Sequence, residues 1–246
     1  MPYISVTALS HVGLVREHNE DSLVIGPWTL CGTVTDNPQT LLFPLGRPLV
    51  VAVADGLGGQ PAGEVASALV VRRLASLGTS LDGDQRIRDA LDLCNQELYA
   101  AADGEPELAT MGTTVAGALV LPETWVTFNV GDSRVYAAGE EGLRQVSVDD
   151  SPPPPPGRRT TSAVTQTLGG SRLFQDIEPH VSVTALAGAD RYLLCSDGLT
   201  DPVPDEDIDA VLRVHDDGRA AFELWKAAIE AGGPDNITLA LVRIGE

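Results

Sequence analysis

One placement, repeated four times, constrains this chain more than any other feature: an aspartate at the end of an apolar run, with glycine beside it or close by. Asp55 follows LVVAVA, Asp132 follows VTFNVG, Asp197 follows YLLCS, and Asp235 precedes NITLALVRI. Short apolar, β-branched runs bounded by turn residues read as strands. A wholly apolar run such as Leu49 to Ala54 reads as a strand covered on both faces. A single Asp-Gly pair is an ordinary turn. Four carboxylates at strand ends are different, because neighbouring antiparallel strands bring such ends to one rim of a sheet sandwich. Carboxylates gathered there repel one another, and the usual resolution is a hard cation with oxygen ligands, Mg²⁺ or Mn²⁺.

The rest of the chain alternates between strand and helix signals. Strands are predicted at Tyr3 to Val12, Asp21 to Ile25, Leu49 to Ala54, Thr113 to Leu121 and Trp125 to Val130. Arg134 to Ala138 and Leu143 to Val148 read as a hairpin. Further strands are predicted at Ala163 to Thr167, His180 to Thr184, Arg191 to Cys195 and Ile237 to Ile244. Apolar residues recur at helical spacing from Val65 to Leu77 and from Ile87 to Ala101, and helices are also predicted at Glu206 to Val214 and Ala220 to Ala231. Gly32 to Pro48 is rich in Pro, Gly, Asp and Asn and reads as a loop. Ser151 to Arg159 holds five consecutive prolines, so it is neither helix nor central strand; it is a stiff surface spacer or a polyproline ligand for a partner. Many strands with two separated pairs of helices suggest α+β layering, with sheets packed together and helices outside; the length suits one sizeable domain, and two small ones are possible.

Composition removes several functions. The net charge is −19, from 16 basic and 35 acidic residues, so the basic footprint needed for nucleic acid or an anionic membrane is missing. Most of that charge serves solubility. Cys31, Cys94 and Cys195 lack zinc-site spacing and read as buried thiols in a reducing compartment. There is no signal-peptide pattern and no apolar stretch of about 18 residues, so a soluble cytoplasmic protein is expected.

Six segments then occur in order: Arg16-Glu-His-Asn-Glu-Asp21, Asp55-Gly-Leu-Gly-Gly59, Met111-Gly-Thr-Thr114, Gly131-Asp-Ser-Arg134, Ser196-Asp-Gly-Leu199 and Asp235-Asn-Ile-Thr238. As an ordered set spanning nearly the whole chain they resemble the PPM (PP2C-type) family of metal-dependent protein phosphatases, most of all its compact bacterial members. The resemblance implies hydrolysis of phosphoserine and phosphothreonine by direct attack of a water bridging two Mn²⁺ or Mg²⁺ ions about 3.5–4 Å apart. It also implies a fold, two antiparallel β-sheets packed as a sandwich flanked by α-helices in a single domain over residues 1–246, and it implies residue roles. Asp55 would bridge both metals, Asp197 and Asp235 would complete the first ion's protein ligands, and the Gly56 carbonyl would bind the second. Asp21 would hold metal-bound water or the ion itself. Arg16 would grip the substrate phosphate, a task that suits its planar fork. Asp132 matches a third, weaker metal position, or else caps the turn before Ser133. Glu20 is either a ligand or a solvent-facing residue, and Asn236 supports the loop carrying Asp235. Thr113 and Thr114 read as structural, and the four histidines fall in no ligand pattern. Substrates would be phosphoproteins, targets of a Ser/Thr kinase, and the chain a monomer.

Two departures stand out. Gln60 occupies the place where many relatives carry a histidine taken to be a general acid; glutamine cannot deliver a proton at neutral pH. Asp149 to Thr161 is short and proline-rich where relatives carry a mobile flap. The competing readings are a pseudophosphatase, which the retained aspartates oppose, and a hydrolase of small phosphate esters, which needs the same metals.

Overall fold

A computed structural model describes residues 2–57, 62–157, 159–186 and 191–245. From the N-terminus come β1 (Tyr3–His11), β2 (Ser22–Ile25), β3 (Trp28–Cys31), β4 (Gln39–Pro44), β5 (Leu49–Ala54) and β6 (Gly56–Leu57). Helices α1 (Ala62–Leu77) and α2 (Asp84–Ala102) follow. Then come β7 (Gly112–Thr113), β8 (Val115–Val120), β9 (Thr124–Val130), β10 (Arg134–Gly139), β11 (Gly142–Gln145), β12 (Leu168–Gly169), β13 (His180–Ala185) and β14 (Arg191–Cys195). The chain closes with α3 (Asp197–Thr200), α4 (Asp205–Val214), α5 (Asp217–Glu230) and β15 (Ile237–Gly245).

Two six-stranded sheets form, ordered β11-β10-β14-β15-β1-β4 and β13-β9-β8-β5-β2-β3, with a small third sheet of β12-β7-β6. Their pairings are antiparallel. The period of two along a strand explains the layering. In β5, Val51 and Val53 enter the core between the two large sheets, while Val50, Ala52 and Ala54 face α1 and α2. In β15, Ala240 and Val242 face the sandwich interior, while Leu239 and Leu241 pack under α4 and α5. Strands covered on both faces are apolar throughout, which is why LVVAVA reads as an unbroken run. Trp125 and Tyr192 stack across the interior with ring centroids 3.6 Å apart.

Several sequence expectations change. The stretch from 32 to 48 contains β4, an edge strand on β1 whose Leu41 and Phe43 point inward. Its flanking prolines are tolerated because an edge strand does not need every N–H in a ladder. Trp28–Cys31 forms a hairpin with β2, Ile25 facing Trp28. Residues 163–167 form no strand; only Leu168–Gly169 pairs, with β7. The β10–β11 hairpin ends at Gln145 because Val146 and Ser147 both donate to the Val135 carbonyl, a two-against-one step that breaks the ladder. Cys94 and Cys195 are buried, but Cys31 is partly exposed on an edge strand. Among the described residues no helix is long and apolar enough to cross a membrane.

Candidate metal centre

Strand register gathers the aspartates. Ser22 pairs with Ala54, so Asp21 and Asp55 flank adjacent ends of β2 and β5 in the second sheet. Cys195 pairs with Leu239, and the Ser196 N–H donates to the Thr238 carbonyl at 3.0 Å, so α3 and the turn before β15 leave the first sheet side by side. Gly198 makes this approach possible, because a Cβ there would overlap the Asn236 carbonyl. A hydroxyl ties the two sheets at the rim: Ser196 Oγ donates to Asp21 Oδ2 at 2.8 Å.

The carboxylates share one electrostatic field. Burial holds Asp55 well above the ordinary carboxylate range, and Asp21, Asp197 and Asp235 add negative charge to it. Burial pushes Asp21 up to about 7, opposed by hydrogen bonds from Ser196 and Thr238. Asp197 is pushed up to about 8 by burial, then by Asp132, Asp201 and Asp235. Asp21 and Asp197 both lie within hydrogen-bonding reach of Asp55. Asp21 Oδ1 and Asp197 Oδ1 are buried without a hydrogen-bond partner. Buried polar oxygens of this kind are costly unless a partner is supplied. Among the described residues no group of three or more His, Cys, Asp or Glu side chains, as they stand, is arranged to hold a metal ion. The cluster brings like charges together, and they repel one another. Its all-oxygen donors and two orphaned atoms fit hard divalent cations.

The remaining expected residues fall as follows. Asp235 lies at the same rim, its Oδ1 accepting the Asn236 N–H at 2.8 Å and its Oδ2 accepting from Arg16 Nη2 at 2.7 Å. Arg16 thus has an aspartate partner at the edge of the cluster, with its side chain 53% exposed. Gly56 lies in β6, opposite Thr113. It must be glycine because a Cβ would meet the backbones of Gly63 and Glu20, a requirement of close approach and not of backbone bending. Glu20 leans toward the start of α1, its Oε2 over Gly63, and burial raises its carboxyl. Asn236 supports the loops: its Nδ2 donates to the carbonyls of Val12 and His18, and its Oδ1 accepts the Glu20 N–H. Thr113 and Thr114 clasp the Asp55 backbone, Thr113 Oγ1 and the Thr114 N–H donating to its carbonyl. Asp132 is buried in the turn between β9 and β10 and raised to about 6 by burial, with Asp149 and Asp201 adding to it. Gly58, Gly59 and Gln60 lie outside the described residues.

The sequence did not single out Ser196, which bridges the sheets, or Asn19, whose amide ties Ser10 and the Thr33 carbonyl while its Oδ1 accepts the Asp21 N–H. Both flank or sit within the motifs, so proximity to Asp21 and Asp197 was the only available signal. Asp201, four residues past Asp197, also faces the cluster.

A profile of the protein phosphatase 2C family matches residues 44–234. The serine/threonine protein phosphatase PstP of Mycobacterium tuberculosis is 32% identical over 252 residues, covering 96% of this chain and 44% of that protein. The chain thus spans less than half the length of that relative. The serine/threonine phosphatase stp of Listeria monocytogenes is 31% identical over 247 residues, covering 94% and 92%. The crystal structure of the M. tuberculosis phosphatase PstP/Ppp superposes with a TM-score of 0.81 at 31% identity, covering 99% of this chain and all of that one. The catalytic domain of a PstP phosphatase in complex with two manganese ions superposes at 0.78 and 30% identity, with both chains fully covered.

Proposed function

The chain belongs to the protein phosphatase 2C family, and from that premise we propose that it hydrolyses phosphoserine and phosphothreonine in other proteins at a pair of Mn²⁺ or Mg²⁺ ions. The observation that carries this reading is the meeting of Asp21, Asp55, Asp197 and Asp235 at one rim, with two buried carboxylate oxygens lacking any protein partner. When bound, the two cations supply an activated water and neutralise charge on the phosphoryl oxygens.

The chain's own residues have distinct tasks. Asp55 would be shared by the two cations, Asp197 and Asp235 would complete the ligands of one, and the Gly56 carbonyl would serve the other. Asp21, fixed by Ser196 and Asn19, would hold metal-bound water or a cation itself. Arg16 uses one nitrogen on Asp235 and keeps the rest of its exposed fork for the substrate phosphate, where it stabilises the charge that develops during transfer. Asp132 is the residue for a third, weaker cation. Residues 1–246 act as one phosphatase domain, a monomer whose substrates are the targets of a Ser/Thr kinase in the cytoplasm of a bacterium.

The test is phosphate release from a phosphothreonine peptide with Mn²⁺, Mg²⁺ or EDTA, for the wild type and Asp197→Ala. Metal-dependent release that collapses in the variant supports the reading. Folded, metal-loaded protein that releases nothing overturns it in favour of a binding module. Release from a small aryl phosphate alone overturns the protein-substrate part.

A further inference from the structure

The segment from Asp149 to Thr161, expected as a spacer, is tied at both ends to the turns that carry carboxylates (Arg158 within it lies outside the described residues). At its start Arg134 donates to Asp149 Oδ2 through Nε at 2.9 Å and Nη2 at 2.7 Å. Asp150 then closes on Gly131, the residue before Asp132. Its N–H donates to the Gly131 carbonyl at 3.0 Å, and its Oδ2 accepts the Gly131 N–H at 2.9 Å. Gln166 and His180 hold the same carboxylate from outside, each at 2.8 Å.

At the other end Arg159 Nη2 donates to the carbonyls of Asp201 at 2.9 Å and Thr200 at 3.3 Å. Thr160 stands close enough to the Asp201 carboxylate to favour its charged form. These carbonyls close α3, whose first residue is Asp197, and arginine is a common partner for the last carbonyls of a helix. Between the ends run Pro152 to Pro156, each with its φ fixed by the ring, so this part of the span is stiff. Pro152, Pro154 and Thr160 line a small pocket of about 80 Å³ together with Asp132 and Asp197.

We propose that this proline strap is a brace that sets the spacing between Asp132 and Asp197, and that Arg159 and Thr160 are its latch: positioning residues for cation binding at the rim. Arg159 acts through the Thr200 and Asp201 backbone, which carries α3. The catalytic consequence rests on the phosphatase reading; the effect on cation binding does not. Displacement of a reacting group by about 1 Å can cost about 10²-fold in rate, so a loosened brace has a measurable effect.

The experiment uses the full chain with Arg159→Ala, Arg159→Lys, Thr160→Val, and a strap with Pro152 to Pro156 replaced by Gly and Ser. Each is titrated calorimetrically with Mn²⁺ alone and assayed on a phosphothreonine peptide, with a thermal melt to confirm folding. The expected result is weaker Mn²⁺ binding and a kcat lowered by roughly tenfold in Arg159→Ala and the Gly/Ser strap, with KM within about twofold. Thr160→Val, a near-isosteric change at a partly exposed site, shows a smaller loss in the same direction, and Arg159→Lys, which can still donate to the two carbonyls, recovers most of it. Mn²⁺ affinity and kcat unchanged in every folded variant overturn the brace. So does a rise in KM alone, which would make Arg159 a substrate contact. A wild type that binds Mn²⁺ without releasing phosphate removes the phosphatase reading and leaves the titration to decide the brace.

Discussion

Two clusters of charge, one on the outer face of the first sheet and one at the rim where the two sheets meet, resolve their electrostatics in opposite ways. On the outer face Asp217, at the start of α5, lies between Arg191 of β14 and Arg243 of β15. Arg191 Nε stands 2.7 Å from Oδ1, and Arg243 donates through Nε and Nη2 at 2.9 Å each. Negative charge there is answered by positive charge within the protein, although Arg191 Nε and Nη2 make no directed hydrogen bond. At the rim, carboxylates face carboxylates, burial raises their affinity for protons, and two oxygens have no partner. The first cluster pins a helix to a sheet. The second is incomplete as protein alone, and that incompleteness marks it as the place where something else binds.

Single substitutions should move the two clusters in opposite directions. Asp217→Ala leaves two arginines, one of them buried, without their anion and should lower stability by about 3–5 kcal/mol, read from denaturant unfolding. The activity of the fraction still folded should be unchanged. Asp197→Asn in the metal-free protein relieves repulsion and should raise the thermal midpoint while removing activity. A fall in that midpoint would mean that the rim is compensated after all. Arg16→Ala tests the one arginine that pairs with the rim's Asp235. Loss of a charge-assisted hydrogen bond to phosphate should cost about 1.5–3 kcal/mol in kcat/KM, roughly tenfold to a hundredfold. An unchanged kcat/KM would confine Arg16 to its pairing with Asp235.

A further effect is on pH dependence. The folded-state pKa values of Asp21 and Asp197, about 7 and about 8, lie above the ordinary 3.8. A raised carboxyl contributes stability that is fully present below its unfolded pKa and is lost as pH rises through the folded value. The thermal midpoint of EDTA-treated protein should therefore fall between about pH 4 and pH 8, and Mn²⁺ should remove that fall, because it binds the deprotonated form. A midpoint that rises over this range without metal would contradict the raised pKa values.

The contrast also explains what could be read in the sequence. Asp55, Asp197 and Asp235 were visible because strand ends carry a pattern, apolar run then Asp near Gly; the layering of packed sheets with helices outside followed from the same runs, and the antiparallel sandwich from the resemblance of the ordered motifs to a known family. The ties between them were not visible. Ser196 reaches Asp21 across 175 positions, and no periodicity encodes a contact between two sheets. The β4 strand was hidden because prolines and glycines dominate its neighbourhood, while its inward pair, Leu41 and Phe43, is too short a signal alone. The proline run was legible as stiff but not as tethered, since Arg159 meets its carbonyl partners only in the folded chain. Asp217 carried no motif, and its arginines lie on two separate strands.

The most direct test of the central claim is a calorimetric titration of Mn²⁺ into metal-stripped protein near neutral pH, repeated in two buffers of different ionisation heat. The account predicts two tightly bound ions per chain, with protons released as the raised carboxyls of the rim are displaced, and loss of at least one ion in Asp197→Ala. Binding without proton release, or binding that Asp197→Ala leaves intact, would contradict it.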